Sequence, residues 1–268
     1  MLEFSFMRRA FAIGIMLAII IPMIGIIMIN RKTSMIGDAL SHSSLAGIGL
    51  GLIFGINPMW TSILICILAS FAIESLRRKF PKYGDMATAI VMSTGIAIAS
   101  ILSDFTPGGT NFESFMFGSI TTVSSEDLYI VALIFVIVLI SSIYFYYGLL
   151  YTSINPVLAR LAGVNTRLIN NLFTFITAIT VAISAKTVGA LMITSLMTIP
   201  VASSMVFTKS YKATFKLSIV FSAIFMILGI TVSYYKGLKP GGAIVLIAVG
   251  FFILISLISY IKKIKIAG

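Results

Sequence analysis

Apolar residues fill this chain in long blocks and do not alternate with polar ones. Stretches 10–30, 128–149 and 243–260 are almost entirely apolar, each long enough for the roughly 20-residue helix that crosses a hydrocarbon core. Such blocks are too long for barrel strands, so helices must satisfy the backbone. Hydropathy and charged breaks predict nine spans, near 10–30, 35–55, 58–76, 86–104, 128–149, 170–186, 188–207, 213–235 and 243–260. The break at Lys186 rests on one lysine in an apolar run from Leu172 to Phe207, read as a tight turn Lys186-Thr187-Val188-Gly189. A single bent helix or a re-entrant segment there would leave eight spans. Other helix ends carry turn chemistry: Asn57-Pro58, Pro107-Gly108-Gly109, Asn155-Pro156 and Pro240-Gly241-Gly242. The predicted fold class is an all-α polytopic membrane bundle, one membrane domain over residues 1–268.

Composition narrows the classes. The chain has 268 residues, 59% hydrophobic and 10% charged, where a soluble domain carries about 25% charged. The net charge of +11 is spread over short loops and not gathered on one amphipathic face, so no nucleic-acid partner is implied. Alternate loops sort the cations. Arg31, Lys32, Arg77, Arg78, Lys79, Lys82, Arg160, Arg167, Lys209, Lys212, Lys216, Lys262, Lys263 and Lys265 fall on one side, fourteen of nineteen; Arg8, Arg9, Lys186, Lys236 and Lys239 fall on the other. The positive-inside rule then puts the N-terminus outside and the C-terminus in the cytoplasm. Asp104, Glu113, Glu126 and Asp127 collect in one outer loop of about twenty residues, long enough to meet an extracellular partner.

Several chemistries lack their motifs. The single cysteine, Cys66, excludes an internal disulfide and a Cys-rich metal cluster. No Gly-x-x-x-x-Gly-Lys-Ser/Thr loop is present, so the chain does not hydrolyse ATP by that route, and no His-Glu-x-x-His marks a zinc protease. Arg8-Arg9 and the apolar stretch after them resemble a signal peptide, but Asn30-Arg31-Lys32 ends that stretch without a small-x-small cleavage site; a retained first span is expected. No internal repeat is evident, which weakens an inverted-repeat secondary transporter.

Asp38 and His42, the only histidine, lie four residues apart in the second span, on one helical face. A carboxylate and an imidazole are costly in a membrane helix unless something polar meets them. A carboxylate oxygen with a neutral imidazole nitrogen suits zinc, manganese or ferrous iron. Two ligands make an incomplete site, as a transient stop on a pathway requires, and a symmetric second chain would add another pair. The alternative is an Asp–His pair pinning the helix start. Ser41, Ser43 and Ser44 read as helix-packing residues, and Gly47 and Gly51 as a small-x-x-x-small contact or a pore constriction.

Residues 155–164 read as a short helix on the basic side. Asn155 caps it, Pro156 takes its first position and Gly163 its end. It is either a lever for a soluble partner or an interfacial helix resting on the membrane. Glu74 and Asp85 are expected to pair with Arg77, Arg78, Lys79 and Lys82, Lys186 to snorkel to water, and Pro200 to kink or interrupt its helix.

The series Arg31–His42, Asn57-Pro58, Asn155–Val164, Gly189–Ile193 with Pro200-Val201-Ala202, and Pro240–Val245 resembles the membrane subunit of bacterial zinc/manganese/iron ABC importers over essentially the whole chain. Gly-Asp-x-x-x-His and Asn-Pro-x-x-Ala-x-x-x-Gly are its most specific elements. Glu3–Phe11 and Ser44–Gly47 look more like the zinc-uptake branch than the manganese branch. The resemblance implies a type II ABC importer permease in the bacterial cell membrane, paired as a homodimer. Two cytoplasmic ABC ATPase subunits would drive it, and an extracellular or periplasmic metal-binding protein would supply it. It implies no permanently bound cofactor, only transported Zn2+ (or Mn2+/Fe2+) that Asp38 and His42 contact, and a coupling helix with Asn155, Pro156, Ala159, Arg160 and Gly163 on the ATPase. Many relatives carry acidic residues at and just after the position of Asn155, whereas Arg160 is the only charge here. The rival readings are a manganese/iron importer permease of the same family, a stand-alone secondary transporter using Asp38 for proton coupling, and an intramembrane enzyme with an Asp–His dyad.

Overall fold

A computed structural model describes residues 3–80, 82–106, 110–119 and 123–267. Among these, twelve α-helices form: α1 Ser5–Asn30, α2 Met35–Phe54, α3 Pro58–Lys79, α4 Gly84–Phe105, α5 Thr110–Phe117, α6 Ser125–Tyr144, α7 Tyr146–Ile154, α8 Pro156–Leu161, α9 Thr166–Val188, α10 Ile193–Phe207, α11 Tyr211–Lys236 and α12 Pro240–Ala267. Nine helical segments of the described residues are long and apolar enough to cross a membrane, α10 counted with the 3-10 turn Ala190–Met192 that precedes it. The predicted turn Pro107-Gly108-Gly109 lies outside the described residues.

Enclosure sorts the helices into a centre of α1, α2 and α9 and a rim that includes α4, α6 and α12. A helix apolar all round is either buried or faces lipid. The rim helices show the second case: Leu133, Ile137 and Ile140 of α6 and Leu246, Leu254 and Ile258 of α12 are exposed. At the centre, small residues bring backbones together, as membrane helix packing requires. A Cβ on Gly25 of α1 would stand 1.9 Å from the Met197 carbonyl oxygen of α10, and one on Gly47 of α2 would stand 2.6 Å from Ser62 Cα of α3. Gly47 is therefore a packing contact between helices.

Most predicted spans match to within a few residues, and the departures have physical causes. The Lys186 region does turn, but at Gly189, where φ is +96°. A Cβ there would lie 2.4 Å from the Phe117 carbonyl carbon, so only glycine fits. The single-helix alternative fails, and nine segments of the described residues are long and apolar enough to span, as the nine-span reading expects. The stretch 128–149 is not one helix: α6 ends at Tyr144 and α7 begins at Tyr146, whose ring packs against Tyr211 and Phe215 at centroid distances of 5.9 and 6.1 Å. The long outer loop is not open either. It folds α5 onto the bundle, with Phe112 and Phe115 buried.

Charge pairing follows the same logic. Lys186 does not snorkel to water; its Nζ donates to Asp127 Oδ2 at 2.6 Å, with the Lys186 and Asp127 side chains 16% and 1% exposed. Asp127 also closes a capping box with Ser124 at the start of α6. Glu113 pairs with Lys239, so two of the four outer-loop carboxylates are already neutralised. Glu74 pairs with Arg78 at 3.1 Å as expected, whereas Asp85 has no ion pair among the described residues. Pro200 kinks at most: α10 runs from Ile193 through Pro200 to Phe207 without interruption.

Candidate functional site

The environment of α2 singles out two positions. From Ile36 to Gly49 every residue is buried except Asp38 and His42, both half-buried. Four neighbouring helices close the other sides. On α3, Cys66 Sγ donates to the Leu40 carbonyl at 3.4 Å, and Gly47 and Gly51 meet Thr61 and Ser62. On α4, a Cβ at Gly95 would stand 2.8 Å from the Ser43 amide nitrogen and 3.1 Å from the His42 carbonyl carbon. On α10 and α1, Gly37 faces Thr194, Met197 and Met28. The one stripe of this stretch left uncovered carries its carboxylate and its imidazole.

No hydrogen bond joins Asp38 to His42 among the described residues, and both are half-buried, so the lone pairs of both stay available to a third group. Two of the three serines beside them are committed elsewhere, and the third, Ser44, has a buried hydroxyl with no hydrogen-bond partner among the described residues. Ser41 Oγ donates to the Gly37 carbonyl and Ser43 Oγ to the Ala39 carbonyl, each at 2.8 Å; Ser44 is fully buried. They pack, as their size predicts. Among the described residues no third His, Cys, Asp or Glu joins the pair. One chain therefore offers one oxygen and one nitrogen ligand, fewer than a zinc or manganese ion takes.

The second predicted element forms as a helix of six residues. Asn155 Oδ1 accepts from the Val157 and Leu158 amides at 2.9 and 3.2 Å, Pro156 takes the first helical position, and Ala159 is buried. The end is a Schellman motif: the Val164 amide donates to the Ala159 carbonyl, the Gly163 amide to the Arg160 carbonyl, and Gly163 has φ +80°. Val157, Leu158 and Leu161 stand exposed, Leu161 by 80%. The helix thus projects an apolar knob with Arg160 beside it.

The structure brings the approaches to α2 and α8 together through a residue that the sequence reading did not single out. Arg31, in the turn leading into α2, donates from Nη2 to Thr152 Oγ1 at 2.7 Å, three residues before the cap of α8, and lies 4.7 Å from the Phe173 ring of α9. Its partner is 121 residues away, so no local signal could reveal the contact. Gly95 was missed for the same reason: nothing in α4 itself marks it as the seat of His42.

Comparison with known proteins gives the lineage. Residues 3–259 match the ABC 3 transport family. The chain is 33% identical over 263 residues, 98% of its length and 99% of the other's, to a protein of Treponema pallidum described as a probable metal transport system membrane protein. It is 29% identical to the high-affinity zinc uptake system membrane protein ZnuB of Haemophilus influenzae, covering 94% of this chain and 97% of that one. It is 27% identical to the manganese transport system membrane protein MntC of Listeria monocytogenes, covering 94% and 90%. Among solved structures it superposes on PsaBC from Streptococcus pneumoniae in complex with Fab, with a TM-score of 0.85, 27% identity and coverage of 94% and 91%.

Proposed function

The chain belongs to the ABC 3 transport family, and from that premise we propose that it is the membrane permease of an ATP-driven importer of divalent metal, with zinc preferred. The observation that carries the reading is the uncovered stripe of α2, where the accessible positions from Ile36 to Gly49 are one carboxylate and one imidazole. Facing lipid, such a pair is expensive. Facing the same stripe of a second copy across a two-fold axis, it becomes two oxygens and two nitrogens around one path, a donor set suited to zinc or manganese. A homodimer with Asp38 and His42 at its axis meets both demands. The relatives divide between zinc and manganese, and the residues at 3–11 and 44–47 favour zinc.

In this reading α8 is the coupling element. Its exposed Val157, Leu158 and Leu161 fit a groove on a cytoplasmic ATPase subunit, and Asn155, Pro156, Ala159, Arg160 and Gly163 build and orient it. A metal-binding protein delivers the ion on the opposite face. The basic ends of the helices face the cytoplasm; a C-terminal fluorescent-protein fusion should glow and a C-terminal alkaline phosphatase fusion stay inactive, and the reverse pattern would invert the topology.

Co-purification and radiolabelled uptake test the reading. A tagged chain expressed with its genomic neighbours should recover an ATPase subunit. Vesicles of that complex should take up zinc faster than manganese and only with ATP. Full metal transport by the lone chain in ATP-free liposomes would instead establish a secondary transporter.

A further inference from the structure

At the end of the bundle where α1 passes into α2, a cavity of about 500 Å³ opens between the helix ends. Arg31, Lys32, Arg77 and Arg78 line it, with Glu74 as the one carboxylate and Thr152 among its neutral donors. Glu74 is already taken, since it accepts from Arg78 Nε at 3.1 Å. Arg31 is fixed by Thr152 and the Phe173 ring, yet its Nε is buried without a partner. Arg77 lies across the start of α4, where a Cβ on Gly84 would stand 3.3 Å from its Nε. Neither the Arg77 nor the Lys32 side chain has a hydrogen bond or ion pair among the described residues. Burial and the neighbouring Arg77 charge lower the Arg31 pKa to about 10, so it stays a cation at neutral pH. Four positive charges with one negative between them are left to repel one another.

The backbone adds an independent sign. Four helices of the described residues end with the amide of one residue donating to the carbonyl five positions back: Thr33 to Met28, Ile56 to Gly51, Val164 to Ala159 and Leu238 to Ser233. The residue just before each of those donors must turn left-handed, and it is glycine at Gly55, Gly163 and Gly237. At the first helix it is Lys32, with φ +54°, the only residue other than glycine with positive φ among those described. A lysine there is strained where glycine would not be, and what it gains is a cation at the cavity mouth.

We propose that this cavity binds a phosphate-bearing anion, held by Arg31, Lys32, Arg77 and Arg78. Guanidinium forks match phosphate oxygens in pairs. Arg31 and Lys32 follow the end of α1, and Arg77 and Arg78 lie in the last turn of α3; at such ends of membrane-crossing helices, basic pockets collect anionic lipid. The same chemistry would accept free inorganic phosphate. The site is independent of which ion the protein moves.

The test uses the full chain in nanodiscs of phosphatidylcholine, alone or mixed with phosphatidylglycerol. Native mass spectrometry counts retained phosphatidylglycerol, and thermal midpoints are read with and without inorganic phosphate at matched ionic strength. Wild type should retain phosphatidylglycerol, and Lys32→Gly and Arg77→Gln should each weaken retention about fivefold. In pure phosphatidylcholine the Lys32→Gly midpoint should not fall below wild type, because glycine relieves the strained turn; its loss of binding then cannot be misfolding. A response to inorganic phosphate alone would make free phosphate the ligand, and a response to phosphatidylglycerol alone the headgroup; either supports the site. No response to either, or variants that bind like wild type, overturns it. So does a defect confined to affinity for an ATPase subunit, which would assign these cations to a protein contact.

Discussion

In the proposed function Asp38 and His42 are the residues on which the chemistry turns, and both are visible in the sequence because polar groups are rare in so apolar a segment. Their accessibility is not visible. It depends on Gly95, Gly37 and Cys66, which belong to other contacts or other helices and close the remaining sides of α2. Lys186 teaches the same lesson in reverse: its neighbours in sequence point to water, while its partner, Asp127, is 59 residues away. Breaking one side of a buried pair leaves an uncompensated charge, worth about 3–5 kcal/mol. Lys186→Met should therefore lower the thermal midpoint in detergent. Adding Asp127→Asn, which removes the stranded charge and keeps an acceptor for the Ser124 amide, should recover part of the loss. Losses that simply add in the double variant would show that the two residues are not coupled.

Elements were more legible than residues. Hydropathy is local, so the nine spans could be read directly, and so could the short helix after Asn155, whose cap, first-position proline and terminal glycine lie within nine residues. What escaped depends on packing between distant segments: α5 folded against the bundle, and the break at Phe145 where Tyr146 meets Tyr211 and Phe215. The cap of α8 offers a clean test of the coupling element. Asn155→Ala removes the acceptor of two amides and should cost about 1 kcal/mol of local helix stability, with lower ATP-driven uptake by an assembled complex. Asn155→Asp keeps an acceptor at the same place and should retain uptake. Wild-type uptake by Asn155→Ala would remove α8 from the coupling path.

At the scale of the molecule, the bundle joins two specialised regions. The stripe of α2 presents the proposed ligands at a surface that one chain leaves uncovered, and the basic end gathers α8, the Arg31 turn and the proposed phosphate cavity. Arg31 links them physically, since it hydrogen-bonds the approach to α8 and begins the turn into α2. A push on α8 thus has a short route to the helix that carries Asp38 and His42. The family could be read from sequence because its motifs are contiguous; the full ligand set could not, because in the proposed function it is completed by a second chain. The most direct measurement is ATP-driven uptake of radiolabelled zinc by Asp38→Ala and His42→Ala, each first shown to assemble with its partners at wild-type yield. Removing even an outer-shell group from a metal site costs about 10–100-fold, so each variant should lose at least about tenfold. Uptake at the wild-type rate by both assembled variants would contradict the assignment of the metal path to this stripe of α2.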